Sequence, residues 1–357
     1  MWVDGIDIHA LVRTAEELQQ TVKALENKLA GNWCRTVADT TTIAGLTGNA
    51  NYAGGVLAGN GKIYSMPHLS AFVVVVDPAT NTKVNILTKG DASPYSKGQW
   101  NEGVLAANGK IYGMPWSAES VLVLDPTTNA VDTTTLSGFS TEANKWLGGV
   151  LLGNGKIYGI PSSTTAVLII DPVTNVTDTT TITVQGGGWF WHGGVLASNS
   201  KIYCIPRRSR SVLVIDPHQN TTYQMGAFGL GHKWYGGVLA GNGKIFGIPL
   251  DSAAMLIIDP ASDSIETIAV SGSTTGGAKW MGGALANNGK IYGIPFGAAS
   301  VLVIDPATNS TDVTSVMIGK PQGQNWIGGV LAGNGRIYAF PYDAESVLII
   351  KRDCGGL

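Results

Sequence analysis

The chain has 357 residues, a formal net charge of −2, only 13% charged residues and 48 glycines. No broad basic field is available to displace counterions, which argues against a nucleic-acid partner, and no run of about eighteen apolar residues is available for membrane insertion. Met1-Trp2-Val3-Asp4 lacks the basic and apolar regions of a signal peptide, so the expectation is either an intracellular chain or a secreted one in its mature form.

The first element in chain order is a heptad pattern within residues 7 to 31. Ile8, Ala15, Val22 and Leu29 recur every seven residues, with Leu11, Leu18 and Leu25 three positions later. The spacing predicts an amphipathic helix, with Asp7 as N-cap and Gly31 as its stop. It suits a short parallel coiled coil joining two or three copies of the chain, or else one helix lying on its own protein. The division this implies is an oligomerising segment over residues 1–33 and a single domain over residues 34–357.

The rest is repetitive. A phrase of the form Trp-x-Gly-Gly-Val-Leu-Ala-x-Asn-Gly-Lys-Ile-Tyr-Gly-Ile-Pro, then Val-Leu-Val-Ile-Asp-Pro-x-Thr-Asn, returns seven times. Its proline falls at Pro67, Pro115, Pro161, Pro206, Pro249, Pro295 and Pro341, every 43 to 48 residues. Short strand signals at that period predict an all-β, seven-bladed β-propeller of four-stranded blades. In the third repeat, Gly148–Leu152 reads as a buried strand and Asn154-Gly155 as a two-residue hairpin turn. Lys156–Ile160 reads as the second strand, ended by Pro161, and Val167–Ile170 as the third. Asp171–Asn175 turns the chain, and the Thr-rich Asp178–Ile182 reads as the outer strand.

The two ends of the chain predict how the circle closes. The last repeat runs out after Val347–Ile350, whereas Asp39–Gly45 repeats Asp132–Gly138, so an N-terminal strand is expected to complete the seventh blade and remove an open edge. Aligned on the second repeat, Cys34 and Cys354 fall on Thr127 and Thr128, neighbours in one turn. A disulfide stapling the closure follows, and with it an oxidising, extracellular location. Cys204 occupies a small-residue position of a second strand and reads as a buried thiol.

Candidate functional residues sort by face. The Asn-Gly-Lys and Asp-Pro turns share one face, here the bottom; the loops before each Trp and after each Pro share the top. At the bottom, Lys62, Lys110, Lys156, Lys201, Lys244, Lys290 and Arg336 lie beside Asp77, Asp125, Asp171, Asp216, Asp259 and Asp305, an arrangement that reads as loose pairing rather than an anion site. Sequons at Asn175, Asn220 and Asn309 offer glycosylation sites, although the turn itself prefers Asn. At the top, Tyr52, Trp100, Trp146, Trp191, Trp234, Trp280 and Trp326 put one aromatic in each blade, either to stack on sugars or to wedge the blades together. The post-proline loops add Trp116, Phe296, Tyr342 and the basic cluster Arg207, Arg208 and Arg210. Two departures from the repeat stand out: Glu102 replaces the first Gly of a Gly-Gly pair and His192 precedes another such pair. Both are placed near the mouth of the central channel, but their blades are not adjacent, and no nucleophile–base–orienter set can be assembled from them. Neither a metal-ligand motif nor a cofactor signature appears, so no catalytic residue is assigned.

Asn288–Tyr292 followed by Val301–Asn309 resembles the middle of kelch-type repeats, and Asp-Pro-Ala-Thr-Asn resembles the repeats of bacterial surface-layer propellers. The chain departs from kelch repeats in placing Ile-Pro where they place Gly-Gly and in lacking their Trp after the turn. The resemblance implies a propeller used for binding. The expectation is therefore a secreted, non-catalytic protein that recognises carbohydrate or another surface polymer multivalently through its top face. A building block of an extracellular coat or filament is the alternative, and a polysaccharide-acting enzyme comes third.

Overall fold

The computed structural model describes residues 34–46, 51–88, 96–185, 191–272, 277–319 and 323–354, with Leu18 and the backbone of residues 2–3 and 6–7. By internal contacts the chain divides into a body of residues 38–350 and a smaller unit of residues 1–37 with 351–357. Seven four-stranded antiparallel sheets are the blades of the expected propeller. The third is representative, with an inner strand Trp146–Leu151, a second strand Ile157–Pro161, a third strand Leu168–Asp171 and an outer strand Val176–Asp178. Inner strands touch in chain order, and that of the seventh blade returns to that of the first. Apolar side chains fill the seams. Between the third and fourth blades, Tyr158, Ile160, Val167, Trp191, Ile202 and Leu213 form one buried cluster.

Two turns differ from expectation. The Asn-Gly hairpin is not a two-residue turn with both residues at positive φ: only Gly155 is left-handed, at φ 80°. Leu152 N–H donates to the Lys156 carbonyl and Gly155 N–H to the Leu152 carbonyl, both at 3.0 Å, giving a turn closed by a glycine bulge. The asparagine has another use. Its Oδ1 accepts the N–H of the lysine two residues on, and in five blades its Nδ2 donates to the proline carbonyl of the next blade's Asp-Pro turn. These bonds run Asn60 to Pro126 (3.1 Å), Asn108 to Pro172 (3.4 Å), Asn199 to Pro260 (3.1 Å), Asn242 to Pro306 (2.9 Å) and Asn334 to Pro78 (3.0 Å). The second difference is the Asp-Thr-Thr-Thr stretch, which is a turn and not the outer strand. Asp178 Oδ1 accepts the N–H groups of Thr180 (2.6 Å) and Thr181 (3.1 Å), so its carboxylate takes backbone donors that a ladder would need. The strand lies before the aspartate, at Val176–Asp178, and likewise at Arg35–Asp39 in the seventh blade.

Arg35–Asp39 pairs with Leu348–Asp353 as the outermost strand of that blade, as the closure argument requires. Within the smaller unit, Cys34 and Cys354 form the expected disulfide across a sequence separation of 320. Trp2–Val3 and Ile6–Asp7 make a short antiparallel ladder that includes Asp7. Of the heptad positions, Leu18 is helical and 60% exposed. Ile8, Leu11, Ala15, Val22, Leu25 and Leu29 lie outside the described residues, and the coiled coil has no support among those described.

The inner strands crowd at the axis. Each carries a bulge at the first Gly of its Gly-Gly pair, where the chain takes a left-handed conformation: Gly54, Gly148, Gly193, Gly236, Gly282 and Gly328 have φ between 65° and 88°. A Cβ built on Gly328 would lie 2.9 Å from the Gly54 Cα, and one on Gly282 would lie 3.0 Å from the Gly328 Cα. Gly328→Ala is expected to cost about 2 kcal/mol or more in urea unfolding. Gly333→Ala, where an added Cβ meets nothing within 4 Å, should stay near the parent. Loop-closure entropy for so large a ring predicts that Cys34→Ser lowers unfolding free energy by about 3–5 kcal/mol. A reductant should then lower the melting temperature of the parent and leave that variant unchanged.

Candidate binding site at the propeller axis

The second blade breaks the glycine ring. Glu102 is its bulged residue, left-handed at φ 53° where the other six inner strands place glycine, a conformation that costs a side-chain-bearing residue free energy. Its carboxylate stands at the axis, with Oε2 2.5 Å from where a Cβ on Gly148 would lie. About a third of the Glu102 side chain is accessible. Burial raises its pKa to about 7.

His192 meets Glu102 there. Although their blades are not neighbours, Glu102 Oε1 lies 3.7 Å from His192 Nδ1. Both residues do lie at the channel, as expected, and the non-adjacency of their blades is bridged by the Glu102 side chain. His192 is fully buried, neither ring nitrogen has a hydrogen-bond partner, and burial followed by the nearby Arg207 charge drives its pKa well below 6.5. The imidazole is therefore neutral at pH 7.

A column of side chains continues from His192. Its ring lies against Tyr235, with centroids 3.4 Å apart and planes 31° from parallel. Tyr235 is the second residue of the fifth inner strand, and the side chain of Asn101, the residue before Glu102, acts on its hydroxyl. The Arg207 guanidinium, from the loop after Pro206, sits 5.5 Å from the Tyr235 ring centre. Tyr235 also belongs to an apolar cluster with Leu250, Met281, Phe296 and Ile327, against which Tyr342 packs. Among the described residues, six buried side-chain polar atoms lack a partner, and four of them belong to this column: Asn101 Oδ1, both nitrogens of His192 and Arg207 Nε.

The other candidates sit elsewhere. Trp100, Trp146, Trp191, Trp234, Trp280 and Trp326 are 2–6% exposed, and each indole N–H donates at 2.7–2.8 Å to the carbonyl twenty residues on in the same blade. Tyr52 is equally buried. The aromatic ring thus locks each inner strand to the loop ahead of its third strand and leaves no open face for a sugar. Trp116 is half-buried, edge-on to His68 at 4.9 Å, and its N–H donates to Asn144. Phe296 is buried in the apolar cluster, Tyr342 is half-buried, and Arg208 and Arg210 are exposed. Five of the bottom lysines, Lys62, Lys156, Lys201, Lys244 and Lys290, pair within their own blades, from Lys290–Asp305 at 3.3 Å to Lys201–Asp216 at 4.0 Å. Asn175, Asn220 and Asn309 all take φ of 54–55°, a left-handed turn position that accounts for Asn there by conformation alone. Cys204 is a buried free thiol.

No protein-family model matches the chain, and no curated protein matches it in sequence. Solved structures do resemble it in fold. A streptogramin B lyase structure aligns over 89% of this chain and 98% of its own at 10% identity, with a TM-score of 0.70. Virginiamycin B lyase from Staphylococcus aureus, solved with quinupristin as a catalytically inactive variant, aligns over 89% and 99% at 9% identity and a TM-score of 0.71. The extracellular domain of a putative one component system from B. thetaiotaomicron aligns over 84% of this chain and 40% of that one, at 10% identity and a TM-score of 0.62. These likenesses establish the propeller fold, in an enzyme and in an extracellular sensor domain alike.

The raised Glu102 pKa makes a signed prediction. Between about pH 4.5 and 7 the folded state holds a proton on Glu102 that the unfolded chain has released, so this contribution to stability is full below 4.5 and fades as pH rises through 7. His192 acts oppositely, its neutral burial disfavouring the fold as pH falls below 6.5. Glu102→Gln removes only the first effect. Its melting temperature relative to the parent is expected to rise from pH 5 to about pH 7 and to level off above it.

Proposed function

We propose that this protein is an extracellular recognition propeller that takes carbohydrate or another hydroxyl-rich surface polymer at the centre of its top face. The observation that carries the reading is the gathering of unpartnered buried polar atoms on Asn101, His192 and Arg207. Such groups cost free energy unless a ligand or an ordered water satisfies them, and gathered in one place they mark a site. The left-handed Glu102 supports it, since strain retained at one blade of seven points to use. The Cys34–Cys354 bridge and the likeness to an extracellular domain support the location. This site replaces the aromatic ring as the place of contact.

The test is a glycan array probed with the parent, Asn101→Ala, Arg207→Ala and, as a bottom-face control, Val173→Ser, whose parent side chain is 86% exposed. Selective binding by the parent and the control, weakened about tenfold or more in both axial variants, is the expected result. A blank array from folded protein, or binding indifferent to the axial changes, would overturn the proposal.

A further inference from the structure

Arg207 is a half-buried cation without a counter-ion. Among the described residues no carboxylate pairs with it, and its Nε is enclosed with no acceptor. The side chains nearest it supply no direct counter-charge: His192 is held neutral, Tyr235 and Tyr342 have pKa values raised by burial, and Arg208, His232 and Lys233 belong to the same mouth. Asp251, a carboxylate that also acts on His232, is engaged by the Ala278 N–H at 2.8 Å. Glu102 lies beyond Tyr235 and His192, at the far end of the column. Asp343 acts on Tyr342 and Glu102 on Tyr235, yet among the described residues no carboxylate reaches ion-pair distance of the Arg207 guanidinium, which leaves its direct pairing position open.

Resting on the recognition reading above, the geometry points to a carboxylated saccharide as the ligand, its carboxylate taken by the Arg207 guanidinium at the top-face mouth. Among the described residues no hydrogen bond fixes this guanidinium. It is free to turn over the Tyr235 face and offer two parallel N–H groups, the fork that matches a planar carboxylate. Sugar hydroxyls beside that carboxylate then have the half-buried Tyr342 and His232 as partners. A neutral sugar would leave the guanidinium unpaired. A sulfate would match its charge without matching the planar fork.

The experiment is titration calorimetry of the full chain with three oligosaccharides alike except at the terminal residue: a uronic acid, its neutral hexose counterpart and an O-sulfated hexose. The uronate is expected to bind at least about thirtyfold more tightly than the neutral sugar. Arg207→Ala should bring the two level, Arg207→Lys should retain part of the preference, and Arg208→Ala should change it less than about threefold. Melting curves confirm that each variant folds. Equal binding of neutral and uronate sugars, or tightest binding of the sulfated one, overturns the carboxylate assignment and leaves axial recognition standing. No binding of any of the three, together with a blank array, overturns both.

Discussion

The approach of seven inner strands to one axis governs the rest of this structure. At the bulges of the third, sixth and seventh blades there is room for backbone and little else. A Cβ at Gly328 would lie 2.9 Å from the Gly54 Cα, and one on Gly55 would lie 2.3 Å from the Phe340 ring. Glycine in a left-handed conformation solves the packing at six blades. The seventh solution, Glu102, carries four side-chain heavy atoms beyond its Cβ into the space that the glycines leave between them. The ring thus both closes the propeller and makes a chamber for one carboxylate. His192 is neutral because it is buried against that chamber and under a guanidinium.

Away from the axis the blades hold one another by repeated polar contacts layered on apolar packing. The asparagine of each hairpin turns its own strand and in five blades also bonds the following blade, so one side chain serves local and long-range order together. The indole N–H bonds do similar work at the opposite end of the blades. Lys145 and Lys233, each just before its Trp, are largely buried, with pKa values lowered to about 8 chiefly by desolvation.

Much of the fold is legible in the sequence because turns carry it. The spacing of Asn-Gly, Ile-Pro and Asp-Pro records the strands between them, and aligning the repeats places Cys34 beside Cys354 without further information. Where the reading fails, a side chain does something the local pattern does not display. Thr-rich segments suit strands by propensity, yet Asp178 captures two backbone N–H groups and bends the chain away. Asn-Gly suits a tight turn, but the asparagine side chain settles the hairpin differently. The site is only half legible. Glu102 and His192 stand out as breaks in a repeat, whereas their approach across the axis depends on the radius of the ring, which no local pattern encodes. The tryptophans show the converse. Occurrence in every repeat cannot tell a binding surface from a structural lock, and their burial with hydrogen bonds to carbonyls of the same blade gives them a structural role.

The aspartate turns have a consequence at the rim. In the second, third and sixth blades the outer strand is three residues long, against five or six in the first, fourth and fifth. A short strand that curls into its own Asp-capped turn offers a neighbouring chain little backbone on which to extend a sheet. Edge-to-edge growth is thereby discouraged over a large part of the circumference. The longer rims remain the places where two molecules stand the best chance of joining strand to strand, and the first of these exposes Val84 and Leu87.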